Sequence, residues 1–194
     1  MSQHAFEIEQ EQDKKLAMWF FIAAEVVIFA SLFGVYLTLK SHLSDGPSSE
    51  EMLELKSVMV STVLLLSSSF SIYACVSSSE KGKTKQTLLL LLLTLLLGGI
   101  FLIMEAREFF HYYEKGFELD TSPFLSSFYL LVGTHGMHVL AGVIWMGILL
   151  IHFGMKGVCR ETSSRLSVFS LYWHFVDLVW VLIFTLVYLF GKVG

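Results

Sequence analysis

Charge is scarce in this 194-residue chain, where Asp, Glu, Lys and Arg make up 15% of the residues, against roughly 25% in an average soluble domain. With 55% hydrophobic residues and a mean hydropathy of +0.67, a soluble globule is excluded as a sensible reading. Positive charge is scarcer still, with a net charge of -4 and no basic run longer than two residues. The electrostatic footprint of a nucleic-acid binder is therefore missing, and lipid or protein partners are expected. Cysteine is down to Cys75, in an apolar stretch, and Cys159, in a loop, which gives neither a disulfide framework nor a thiol metal pattern. No HExxH motif occurs and no internal repeat is visible, so the usual zinc-protease and inverted-repeat transporter signatures are absent.

Long apolar runs dominate what is present. A bilayer core about 30 Å thick needs roughly 20 apolar residues per helical crossing, which leaves room for five or six crossings and none for a separate soluble domain. Five stretches qualify, at about 16–39, 57–79, 87–110, 124–151 and 168–190. They are too long, too leucine-rich and too irregular in alternation for strands, and a sheet in lipid would need to close into a barrel. The fold class read from this pattern is all-α, a polytopic membrane protein with a bundle of five transmembrane helices. Residues 1–15, with Glu7, Glu9, Glu11, Asp13 and two lysines but no apolar run, do not read as a signal peptide and form an expected cytoplasmic tail. Residues 16–194 then make one membrane domain. Breaks carry turn residues at 44–47, 80–83 and 120–123, and Pro123 suits the first turn of the fourth helix. Lys14, Lys15, Lys81, Lys83, Lys85, Lys156, Arg160 and Arg165 fall on one side, against Lys40, Lys56, Arg107, Lys115 and Lys192 on the other. That asymmetry predicts the N-terminus inside and the C-terminus outside.

Ionisable residues within spans cost roughly 2.5 to 3.5 kcal/mol each on insertion scales, so they mark interiors, cavities or sites. Those found here are Glu25; Glu105, Arg107, Glu108 and His111; His135 and His138; and His174 and Asp177. At 1.5 Å per residue, Glu25, His135 and Asp177 each lie about 14 Å from the inner helix ends, with His138 and His174 at about 9 Å. This predicts a buried polar cluster joining the first, fourth and fifth helices. The three-residue spacings 135/138 and 174/177 place each pair on one helix face, as a metal or proton site requires and as a packing hydrogen bond also allows. Glu105, Arg107, Glu108 and His111 are expected at a solvated outer end of the third helix, in an interface cluster. Glu25 has no Lys or Arg between Lys15 and Lys40 to neutralise it, so it is protonated or paired with another helix. A structural acid and a proton or lipid-headgroup role both remain open for it. Gly133, Gly136, Gly142 and Gly147 point to close helix packing, and the serines at 67–69 are expected to bond back to their own helix.

These residues carry a resemblance. FFIAAEVVIFASLF, MEAREFFHYYEKG, SFYLLVGTHGMHVLAGVIWM and SLYWHFVDLVWVLIFTLVYLFG together are similar to subunit III of the haem-copper terminal oxidases, in its compact five-helix bacterial form. GTHGMHV followed about 35 residues later by YWHFVDLVW is the specific part of the match. The branch it resembles most is the bo-type ubiquinol oxidases, with bacterial cytochrome c oxidases as the alternative. The resemblance implies a non-redox accessory subunit in the bacterial plasma (inner) membrane, packed against a larger haem-bearing subunit I with subunit II in the same complex. Phospholipids would be bound, and no cofactor would sit in this chain, the haem and copper belonging to the catalytic partner. In that family the acid at the place of Glu25 is the carboxyl that carbodiimides modify, and the subunit supports sustained proton uptake. His135, His138, His174 and Asp177 match positions with packing and lipid roles, so no catalytic residue is expected. Two more distant readings are a free-standing proton-coupled carrier relaying through Glu25 and Asp177, and a metalloprotein using His135, His138 and His174.

Overall fold

A computed structural model describes residues 3–40, 55–116 and 122–190, with side chains described for 11–40, 57–116 and 122–190. Five long helices account for them: α1 (Gln3–Lys40), α2 (Leu55–Glu80), α3 (Thr84–Glu114), α4 (Pro123–Lys156) and α5 (Arg160–Ile183), the last continuing as a π-helical stretch, Phe184–Leu189. Each holds a segment long and apolar enough to cross a membrane. The all-helical expectation is met. Helix ends differ from the sequence reading, however: α5 starts at Arg160 instead of 168, α4 runs on to Lys156 instead of 151, and the expected tail is helical from Gln3. Hydropathy reports the part of a helix that hydrocarbon covers, whereas polar turns at the membrane surface remain helical with water and headgroups around them.

Local chemistry sets several ends. Ser122 caps α4, its hydroxyl accepting from the Leu125 backbone N–H at 3.2 Å, with Pro123 in the first turn as expected. Cys159 caps α5, its backbone N–H donating to Thr162 Oγ1 at 2.9 Å. Gly82 and Gly157 turn the chain between α2 and α3 and between α4 and α5 with φ of 70° and 66°, a backbone region that favours glycine.

The helices form one bundle. α3 packs along α2, α5 lies against α2 and α4, and α1 closes over α4 and α5. Trp173 and Trp180 sit two turns apart on the buried side of α5, each fully buried. Their indole N–H groups donate across to α2, Trp173 to Ser68 Oγ at 2.9 Å and Trp180 to Thr62 Oγ1 at 3.0 Å. The Trp173 ring fits where two glycines leave room: a Cβ on Gly142 of α4 would stand 2.6 Å from it, and one on Gly98 of α3 would stand 2.9 Å away. Of the four glycines singled out for close packing, Gly142 alone makes such an approach, while Gly133, Gly136 and Gly147 have nothing within 4 Å of that position. Gly98, buried in a leucine-rich helix, is the one the sequence did not flag.

Candidate functional site

The in-membrane ionisable groups do not gather into the single cluster that shared depth predicted. They divide into three separate sets, with His135 standing apart from all of them. In the first, Glu25 of α1 meets His138 of α4, Oε2 to Nε2 at 3.0 Å, with the side chains only 13% and 18% exposed. The other ring nitrogen, Nδ1, lies 2.8 Å from the Thr134 backbone oxygen. A carbonyl can only accept, so Nδ1 carries a hydrogen, and Nε2 and Glu25 then share one further proton between them. The pair exists either as carboxylic acid and neutral imidazole or as carboxylate and imidazolium, and in both forms it is neutral overall. Phe29 covers the imidazole with ring centroids 5.1 Å apart, and the Tyr172 hydroxyl donates to the His138 carbonyl at 2.8 Å.

His135, expected to join Glu25, turns elsewhere. Three residues along a helix leave a rotation 60° short of a full turn, which is enough to send His138 to α1 and His135 into the core. There it is fully buried, stacked on Trp180 with centroids 5.2 Å apart and edge-on to Phe101. Neither ring nitrogen of His135 has a hydrogen-bond partner among the described residues.

The second set is Asp177, Ser69 and His174. The Ser69 hydroxyl of α2 donates to Asp177 Oδ2, so the expectation that the 67–69 serines bond only to their own helix fails at this position. Ser67 and Ser68 do bond back, to Val63 and Leu65 carbonyls. Ser69 Oγ also lies 3.2 Å from His174 Nδ1. Because the hydroxyl's one hydrogen goes to Asp177, Nδ1 is the donor in that contact. Asp177 is buried, 3% exposed, whereas His174 lies on the outer surface of the chain and is not part of a buried group. Among the described residues no hydrogen bond joins this set to Glu25 and His138, and no three His, Cys, Asp or Glu side chains group as a metal ion would need.

At the far end of α3 the expectation of a solvated quartet holds for half of it. Arg107 and His111 are exposed, but Glu105 and Glu108 turn inward, 5% and 9% exposed. Positions 105, 108 and 112 share the face that α3 presents to the bundle, and the Tyr112 hydroxyl donates to Glu108. Glu105 Oε1 is buried with no partner among the described residues.

Comparison with known proteins decides between the classes these groups leave open. The family model for cytochrome c oxidase subunit III matches residues 2–192. The chain belongs to the cytochrome c oxidase subunit III family. Its relatives carry two kinds of name. Quinol oxidase subunit 3 of Bacillus subtilis is 42% identical over 92% of this chain and 88% of its own length. Cytochrome c oxidase subunit 3 of Bacillus sp. PS3 is 43% identical over 94% of this chain and 88% of its own. Cytochrome bo(3) ubiquinol oxidase subunit 3 of Pseudomonas aeruginosa is 42% identical over 89% and 83%.

Proposed function

We propose that this chain is the accessory subunit III of a haem-copper terminal oxidase of an aerobic respiratory chain, with quinol as the electron donor to the complex. The observation that carries the reading is similarity to oxidase third subunits along nearly the whole chain, residues 2–192. Electrons and oxygen are handled by a larger haem-bearing subunit I, with subunit II beside it, and this chain holds no haem or copper of its own. It sits in the bacterial plasma membrane as one five-helix domain with its N-terminus inside and C-terminus outside, and binds phospholipids. Cytochrome c is the second reading for the donor, favoured by the Bacillus sp. PS3 relative of that name.

Within this role Glu25 and His138 form a neutral, one-proton pair bridging α1 to α4. The pair holds α1 on the bundle and supports proton uptake by the catalytic subunit over many turnovers. The test is purification of the tagged chain from membranes. A larger haem-bearing protein is expected to come with it, and the chain alone is expected to show no haem absorbance; a stable haem spectrum from this chain by itself would overturn the non-redox assignment. Glu25→Ala is expected to leave assembly largely intact while shortening the catalytic lifetime of the complex, and unchanged activity over many turnovers would remove Glu25 from the proton-related role.

A further inference from the structure

Of the buried carboxyls in the spans, Asp177 accepts from Ser69 and Glu108 from Tyr112. Glu105 has no such help. No ion pair among the described residues includes it, and its Oε1 is enclosed without a hydrogen bond. A carboxylate in that position would bear the whole penalty of a desolvated, unpaired charge, whereas a carboxylic acid leaves only a neutral carbonyl oxygen unmet. The packing tolerates the form that carries a proton.

The surroundings act the same way. Glu108 stands one turn along the same face of α3, and two carboxyls that share a closed site cannot both ionise without strong repulsion. Phenols form the rest of the wall. Tyr188 of the π-helical stretch is buried within reach of charge on Glu105, Glu108, Tyr112 and Tyr36, and the Tyr36 hydroxyl of α1 is buried without a partner. Lys40, one turn past Tyr36, donates to the Phe190 carbonyl at 3.0 Å. From α4 come Phe124 against Tyr36 and Phe128 against Tyr112, and the nearest ionisable group of that helix, His135, sits a turn deeper, edge-on to Phe101. The described side chains of α2 at this end, residues 57–61, are uncharged.

The backbone is bent to this arrangement. In a regular α-helix Trp180 and Tyr188 would stand roughly 80° apart. The wider turn at Phe184–Leu189, where the Phe190 N–H bonds five residues back to the Thr185 oxygen, keeps both rings on the buried side with centroids 6.2 Å apart. Such π-helical turns recur at functional sites. On its other side Glu108 reaches a surface depression that it lines together with Ser57, Arg107, His111 and Tyr112.

We infer that Glu105 and Glu108 are a proton-binding site of this chain, in which Glu105 holds one proton towards Glu108 at neutral pH and exchanges it with water through Glu108 at that depression. On release the O–H bond of Glu105 breaks, its electron pair stays on the new carboxylate, and the proton passes over Glu108 to water. A metal ion fits the same groups poorly. Phenols that keep their hydrogens are weak ligands, a hard cation takes six or more oxygens, and among the described residues no three His, Cys, Asp or Glu side chains converge.

The tagged chain is purified in its complex, and infrared difference spectra are recorded between neutral and alkaline buffer, in light and in heavy water. Wild type is expected to show a carboxylic-acid C=O band that shifts in heavy water, and Glu105→Gln to lose it. Glu108→Gln is expected to keep the band but slow its shift severalfold; an unchanged rate would overturn the route through Glu108. Since Glu105→Gln preserves both size and neutrality, it should accumulate in membranes like wild type. Failure to accumulate, or a band undiminished in that variant, would overturn Glu105 as the group that holds the proton. A band that appears in wild type only after chelation, and vanishes when calcium is added, would make the pair a cation site instead. Stability supplies a second readout. The folded chain holds a proton that the unfolded chain releases at the same pH, so from neutral to alkaline pH wild type should lose melting temperature more steeply than Glu105→Gln. Parallel curves would overturn the site.

Discussion

Gly142→Ala is the smallest change with a large expected effect on this fold. The added Cβ would stand 2.6 Å from Trp173 Cζ3, 2.9 Å from Cε3 and 3.2 Å from Tyr172 Cε1. The indole has no route of escape. Gly98 lies against its far edge, where even a Cβ would stand only 2.9 Å from Cη2, its N–H is held by Ser68, and Phe169 stacks on it with centroids 5.9 Å apart. Overpacking of this kind costs about 1–3 kcal/mol, partly offset by the gain of up to about 1 kcal/mol that alanine brings to a helix interior. Gly136→Ala, six residues away on the same helix with nothing within 4 Å, collects the gain without the clash. The two variants should therefore differ by about 2 kcal/mol, or on the order of 4–8 °C in Tm for a chain of this size. The assay is the temperature at which a fluorescently tagged chain in detergent extracts stops running as a single species. Trp173→Phe should relieve most of the Gly142→Ala penalty, and the double-mutant cycle measures how much of it belongs to that contact. If Gly142→Ala and Gly136→Ala melt together, the wedge does not hold the bundle as described.

Ser69→Ala leaves Asp177 buried without its hydroxyl partner, and about 1–3 kcal/mol of destabilisation is expected in the same melting assay, with Ser67→Ala near zero as the comparison. Glu105→Lys puts an ammonium where the bundle is closed to water and should abolish accumulation of the chain in membranes, whereas Arg107→Gln, on the exposed side of the same turn, should leave it unchanged by immunoblot. Between α4 and α5, the Thr162 hydroxyl beside the Cys159 sulfur lowers that thiol below its ordinary range. A lowered thiol holds more thiolate at a given pH, so Cys159 should be labelled by maleimide near neutral pH faster than a simple thiol, and faster than fully buried Cys75. Thr162→Val should slow the labelling and Thr162→Ser should not; equal rates in all three would remove the hydrogen bond as the cause.

The number of helices and their approximate centres were legible in the sequence because hydrocarbon thickness imposes a length on any apolar run. Partnerships between helices were not. Depth along an axis placed Glu25, His135 and Asp177 at one level, but rotation about the axis decides which side chains meet, and a 60° difference sends His138 to Glu25 and leaves His135 on Trp180. The sequence also showed Glu105 and Glu108 at a helix end where solvation is usual; the 4, 3, 4 spacing that runs from Phe101 through Glu105 and Glu108 to Tyr112 puts all four on one face, and that was the sign that they turn inward. Ser69, Ser68 and Thr62 were missed as partners of α5, and the available signal was small polar residues on a transmembrane helix opposite tryptophans, which must find an acceptor for their N–H.

The two indole bonds from α5 to α2 bear on how this chain can move. Trp173 and Trp180 lie seven residues apart and reach Ser68 and Thr62, six residues apart on a helix running the opposite way. Slipping one helix past the other by a turn, about 5.4 Å, would break both at once and drive the Trp173 ring off its seat between Gly98 and Gly142. Sliding and rocking, the motions by which transporters expose a site first to one side and then to the other, are thus geared out of α2, α4 and α5.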